Sequence, residues 1–199
     1  MITVCAEDLA ANIAQDCANP IVAGFTGRGV LIDATLIGAA SVNGTNPRKI
    51  ESFGLQASDK VCAIDDIYET PFEGTQLALN TDSGLRSFQK TLGVHVPVRG
   101  ADASKNIIEP LLKSRSGFVA VLERKDRVGD GSYVVYGFKS ALKGTDVTQD
   151  ETANGSAFMV TLQCDEQWAE LTLAPTPGTG ETDYTAAKAA FEALWAKSL

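Results

Sequence analysis

A single histidine occurs in the 199 residues, so any imidazole-based catalytic or metal-binding arrangement has to use His95. Triad members are gathered by folding rather than by sequence order, so partners could come from anywhere in the chain. His95, however, falls mid-strand between Val94 and Val96, whereas catalytic side chains concentrate at strand ends and in loops. It reads as a structural, surface or interface imidazole. No GxSxG elbow is present to hold a serine in the strained turn that exposes a nucleophile. Gly24, Gly27 and Gly29 match neither GxGxxG nor the P-loop with its lysine, and read as turn chemistry. Cys5, Cys17, Cys62 and Cys164 are scattered without CxxC pairing, so neither a zinc site nor a redox couple is expected. As free thiols they are expected to be reduced and buried, packing as small hydrophobes.

Carboxylates offer the remaining chemistry, because Ca²⁺ and Mg²⁺ prefer oxygen ligands. Asp65, Asp66, Glu69 and Glu73 cluster, but without EF-hand spacing. A loop starting at Asp126 fails as well, with Val128 in the third position and Gly137 in the twelfth. Both clusters read as solvated loops. Asn43-Gly44-Thr45 and Asn154-Gly155-Ser156 match the glycosylation acceptor pattern and read as turns. Catalytic groups are scarce, so the expectation is a non-enzymatic protein without cofactor or metal whose function is its surface.

The elements that would carry that surface are mostly strands. The length of 199 residues and 44% hydrophobic content suit a single domain over 1–199. Seventeen basic against 25 acidic residues give a formal charge of -8, which argues against a surface that grips phosphate backbones. No apolar stretch approaches a bilayer span, and MITVCAEDLAANIAQDC has no basic segment ahead of an apolar core, so neither membrane insertion nor export is expected. Residues 1–20 are expected as an N-terminal arm with a short helix, AEDLAANIAQD, docking through Leu9 and Ile13.

Residues 21–174 read as a β core. Strands are predicted at RGVLIDATLI, KIESFGLQ, KVCAIDDI, TQLALNTD and SFQKTLGVHVPV. In the last, Leu92, Val94, Val96 and Val98 alternate with Thr91, Gly93, His95 and Pro97, which predicts one core face and one non-core face. The period changes over 101–115, where Ile107, Ile108, Leu111 and Leu112 predict a short helix compromised by Pro110 unless that proline lies in a first turn. Two β-rich runs flank Gly129-Asp130-Gly131 and predict a hairpin. AFMVTLQCDE is a further strand, with WAELTLA expected as its antiparallel partner. Residues 175–199 read as a linker and a C-terminal helix, with Asp183 as N-cap and Ala187, Phe191, Leu194 and Trp195 as its apolar stripe. The expected class is mainly β with flanking helices (α+β).

Three blocks carry a resemblance: DCANPIVAGFTGRGVLID, PFEGTQLALNTD and YVVYGFKSALKGTDVTQDETANGSAFMVTLQCDE. Their features are the Cys17-to-Pro20 entry to the first strand, a strand ending in Val135-Tyr136-Gly137, a polar loop from Gly144 to Gly155, and a strand with Val160-Thr161-Leu162. In order and texture these resemble the tail tube (major tail) proteins of bacteriophages; the C-terminal GETDYTAAKAAFEALWAKSL matches least well.

The resemblance implies a β-sandwich or barrel-like protomer that assembles into hexameric rings stacked as a hollow tube. The protein would be made in the host cytoplasm and reside in the virion. Its partners would be copies of itself and other tail and connector proteins, with DNA only in transit and no membrane. Ring closure would use strand edges for inter-subunit pairing, and acidic side chains facing the lumen would repel DNA. On the same reading, the loop from Asp65 to Gly74 contacts the adjacent ring. Asp65, Asp66 and Glu69 would form its charged rim, and Tyr68 and Phe72 its apolar anchors. The competing readings are a tail terminator, connector or capsid decoration protein, a tube protein of a contractile secretion apparatus, and a cellular binding module.

Overall fold

A computed structural model describes residues 24–65, 72, 75–80, 87–97, 100–127, 129–149 and 157–198. The expected N-terminal helix, Cys5, Cys17, Val98 and the Asn154-Gly155 turn lie outside these residues. The fold is mainly β with flanking helices, as the sequence implies.

Eleven strands are described: β1 (Phe25–Asp33), β2 (Ser41–Val42), β3 (Lys49–Ser52), β4 (Cys62–Asp65), β5 (Gln76–Asn80), β6 (Ser87–Val96), β7 (Phe118–Arg124), β8 (Tyr133–Tyr136), β9 (Lys143–Gln149), β10 (Phe158–Glu166) and β11 (Leu171–Leu173). They form a seven-stranded sheet of order β2-β3-β11-β8-β7-β1-β4 and a four-stranded sheet of order β5-β6-β10-β9. The central strands β7 and β8, and Val30–Ile32 of β1, carry continuous apolar runs because both of their faces are buried. Val30, Ile32, Val119, Val121, Tyr133 and Val135 enter one core, shared with the C-terminal helix α3 (Asp183–Trp195). Leu31, Ala120, Leu122, Val134 and Tyr136 enter the other, shared with Leu92, Val94, Val160 and Leu162 of the four-stranded sheet. The result is three layers: helix, wide sheet, narrow sheet. Each fully buried aliphatic contributes roughly 1.5–3 kcal/mol to this arrangement.

An ion pair ties the two sheets together. Lys90 on β6 and Glu166 on β10 are buried and lie 2.5 Å apart. The Lys90 ammonium is also 3.5 Å from the Val135 carbonyl and 5.1 Å from the centre of the Tyr136 ring, both on β8. Glu166 in turn accepts a hydrogen bond from the backbone N–H of Lys139, just past β8. Among the described residues Glu166 Oε2 has no hydrogen-bond partner besides its ion-pair contact with Lys90, so charge attraction has to offset the burial of both groups.

The C-terminal helix is capped by Thr182 rather than Asp183. The Thr182 hydroxyl accepts from the Thr185 N–H while the Thr185 hydroxyl accepts from the Thr182 N–H, a reciprocal box that Asp183 is one position too late to make. The helix lies on the wide sheet, with Phe191 stacked on Tyr133 at 4.8 Å. Arg28 of β1 fastens it: the guanidinium makes a fork of 2.9 and 3.0 Å hydrogen bonds to Glu192 and sits 4.4 Å from the Trp195 ring centre.

Several expectations are corrected. The predicted strand RGVLIDATLI stops at Asp33, whose carboxylate accepts from the Thr35 N–H and starts a 3₁₀ turn over Ala34–Leu36. Gly27 and Gly29 serve a strand and not a turn: they lie in β1, where the pairing with β7 shifts register between Phe25 and Gly29. A Cβ on Gly29 would come within 2.8 Å of the Phe72 ring. WAELTLA does not pair with AFMVTLQCDE; β11 pairs with β8 and runs parallel to β3 in the wide sheet. Residues 144–149 of the expected polar loop lie in a strand, β9, paired with β10. On β6, Thr91 and His95 are buried as well as Leu92, Val94 and Val96, so the non-core face is not an open one. The Gly129–Gly131 turn joins β7 to β8 as the expected hairpin.

The 101–113 helix handles its proline through a change of pitch. Between the α-helical turns α1 (Ala101–Ala103) and α2 (Glu109–Lys113) the chain runs as a π-helix over Ser104–Ile108. Pro110 thereby falls in the first turn of α2, where a missing N–H leaves nothing unpaired.

Candidate assembly surface

Edge strands present unpaired backbone groups, and the two sheets treat theirs differently. In the wide sheet β2 has two residues, and beside β4 the Val61 N–H donates to the Lys197 carbonyl while Val61 bridges Ser198. Those edge strands are short, at two and four residues, and the covering contact lies just before β4. In the narrow sheet the edges are β5 and β9, of five and seven residues, and each pairs on one side only among the described residues.

Both carry apolar side chains in water. Leu77 and Leu79 on β5 are 47% and 54% exposed, and Val147 on β9 is 37% exposed. Register places all three on the same side of the sheet. Leu77 stands opposite Lys90 and Leu79 opposite Phe88, while Val147 stands opposite Val160. Lys90 and Val160 belong to the face turned toward the wide sheet. Both margins of the narrow sheet thus keep apolar side chains exposed on that face, although α2 packs on β9 at Gly144, where a Cβ would come within 2.6 Å of Leu112 Cα.

The residues expected at the ring-stacking contact divide. Asp65 ends β4 and is exposed. Asp66, Tyr68 and Glu69 lie outside the described residues. Phe72 is buried, edge-on to Phe25 at 5.9 Å and against Gly29, so it anchors the loop to its own protomer and does not project toward a neighbour.

Of the candidates for chemistry, Cys5, Cys17, Asp66, Glu69 and Glu73 lie outside the described residues. His95 is buried in β6 opposite Met159. Asp130 pairs with Lys49 at 2.5 Å. Among the described residues no group of three or more potential ligands is placed to hold a metal, and no helix is long and apolar enough to cross a membrane. Cys164 is buried and its pKa is pushed up to about 12, by burial first and by Glu166 second, so it stays a thiol. Cys62 is exposed on β4, against the expectation that it packs inside. A cleft of about 300 Å³ opens between β3 and α3, lined by Phe53, Leu55, Leu173, Ala190 and Leu194, at the small end for ligand sites. Its charged members are engaged locally: Glu51 accepts from Asn43 and Thr176, and Lys197 donates to the Gln56 carbonyl.

Sequence reasoning missed the edge leucines because alternation in QLALN is what any half-buried strand shows. It missed β9 because KGTDVTQ is polar, although Thr and Val are β-formers.

No family model matches the chain, and neither curated proteins nor solved structures offer a match.

Proposed function

We propose that this chain is the structural subunit of a homo-oligomeric tube of the phage tail kind, in which ring closure joins the narrow sheets of neighbouring copies. The observation that carries this reading is the pair of apolar edges on β5 and β9, each paired on one side only among the described residues, while the edge strands of the wide sheet have two and four residues. Exposed edges of this type invite pairing with another chain, and two different edges on one protomer make the contact heterologous, which generates rings.

Layer widths support the same arrangement. A ring has more circumference at larger radius, so the seven-stranded sheet with α3 belongs outside and the four-stranded sheet belongs toward the axis. The exposed and half-buried side chains then turned to the lumen are Gln76, Gln89, Gln163, Asp146, Asp165 and the basic Lys143, on the Thr161 face of the narrow sheet that also holds the buried Thr91 and His95. That lining is polar, with two carboxylates against one lysine. It would let DNA pass by offering few cations to its phosphates. The segment from Asp65 to Glu69 remains the proposed contact with the next ring.

Negative-stain microscopy and light scattering on the purified protein test the reading. Rings or tubes are expected from the natural sequence. Leu77→Lys, a charge placed on an edge strand, is expected to abolish them without altering the unfolding midpoint. A natural-sequence protein that stays monomeric at high concentration would end the proposal.

A further inference from the structure

Resting on that reading, we propose that β5 of one copy pairs antiparallel with β9 of the next in one register, with Leu77 directly opposite Val147.

Strand direction follows from the sheet itself. Each neighbouring pair in β5-β6-β10-β9 is antiparallel, so the first and last strands run in opposite directions. Copies related by rotation about a ring axis therefore meet β5 against β9 in antiparallel fashion. The closed sheet alternates throughout, with no parallel pair at any junction.

Register follows from three constraints. Side chains must stay on their own face, which limits slips to steps of two and sets Leu77 or Leu79 against Val147. With Leu77 opposite Val147, the five residues Gln76–Asn80 fall opposite Thr148 back to Lys143, with Thr145 as the extra residue at the β9 register shift, wholly within β9; with Leu79 there, Gln76 would fall beyond the end of β9 at Gln149. Leu79 then lies diagonal to Val147, still within reach of a long side chain.

The third constraint is closure. A closed sheet needs a stagger, the shear, which sets the strand tilt. Within one protomer Val147 is level with Val160 and Val94, whereas Leu77 is level with Lys90. Joining Leu77 to Val147 thus displaces each copy by four positions along β6, from Lys90 to Val94, for every four strands added. Shear then equals strand number whatever the number of copies. The same ratio holds in an eight-stranded barrel of shear eight, whose strands tilt by about 36°. An unstaggered junction would give no tilt and would set Val147 beyond the start of β5.

Paired cysteines test the register, since side chains directly opposite on antiparallel strands are close enough for a disulfide and those two positions along are not. In a Cys62→Ser background, Leu77→Cys with Val147→Cys is expected to oxidise to a ladder of covalent multimers at least tenfold faster than Leu79→Cys with Val147→Cys. Mixing the two single variants, Leu77→Cys and Val147→Cys, is expected to give covalent dimers only, which supplies a readout if the double variant folds poorly. Rings that form but crosslink faster through position 79, or through neither pair, overturn this junction while leaving self-assembly standing. A protein that is monomeric by light scattering and forms no crosslink overturns both.

Discussion

Lys90 is the residue whose environment departs furthest from what its type suggests. A lysine in a strand usually points to water, yet this one is fully buried between two sheets with Glu166 as its counter-ion. Removing one member strands the other charge in a low-dielectric interior, so Lys90→Met or Glu166→Leu alone is expected to cost about 3–5 kcal/mol. The double variant Lys90→Met/Glu166→Leu is expected to recover most of that, because two apolar side chains can replace a buried pair. Urea unfolding midpoints decide the matter; equal losses in single and double variants would show that the pair's geometry, not its charge balance, is what counts. The sequence held a clue, since Lys90 shares parity with Leu92, Val94 and Val96 and so belongs to the core face of β6. What it lacked was the partner, seventy-six positions away in sequence and joined only by the β6–β10 pairing. Gly29 shows a similar dependence on distant chain. Gly29→Ala is expected to cost about 1–3 kcal/mol by overpacking against Phe72 and Leu122. Phe72→Leu in the same chain should return part of it in the same unfolding assay, and no recovery would place the strain elsewhere.

At the scale of elements, α3 was the most legible piece, because a 3.6-residue stripe of Ala187, Phe191 and Leu194 leaves one face to bury. Its cap shifted by one residue since Thr182 and Asp183 are both capping types and only the reciprocal bond with Thr185 separates them. Its attachment was not legible, because Arg28 lies 164 positions from Glu192. The Arg28 guanidinium, by hydrogen bonding first and by charge second, holds the Glu192 carboxyl below its ordinary range. A carboxylate depressed in the folded state contributes stability that is present above its unfolded pKa of about 4.3 and disappears as pH falls through the lower folded value. Between those two values the acid limb of unfolding should therefore be shallower in Glu192→Gln, by about 0.2–1 kcal/mol in total for a pair this exposed. Trp195 fluorescence reports the change, and an unaltered limb would remove the clamp from the account. Arg28→Ala should cost more than Glu192→Gln, because it also loses the stacking on Trp195, about 0.5–2 kcal/mol.

For the molecule as a whole, class was readable and topology was not. Alternation in AFMVTLQCDE identified a strand with one core face, and it has one. Runs such as VAVL and YVVY carry no alternation because they feed two cores at once, so nothing in them says which neighbours they take. The chain instead crosses between sheets after β4, β6, β8 and β10, and the short β11 closes onto β3 and β8 rather than onto the strand before it. Such long-range pairings are fixed by packing among layers, which local patterns do not encode.

Pairing on one side only, as β5 and β9 have among the described residues, governs how the backbone trades hydrogen with solvent. Amides whose N–H points away from the sheet at those margins should take up deuterium within seconds in a lone protomer, while amides in the middle of β7 and β8 wait for global opening. Mass spectrometry of the assembled material should find the marginal peptides slowed to the pace of an interior strand. Uptake that stays fast there would mean the two margins never meet.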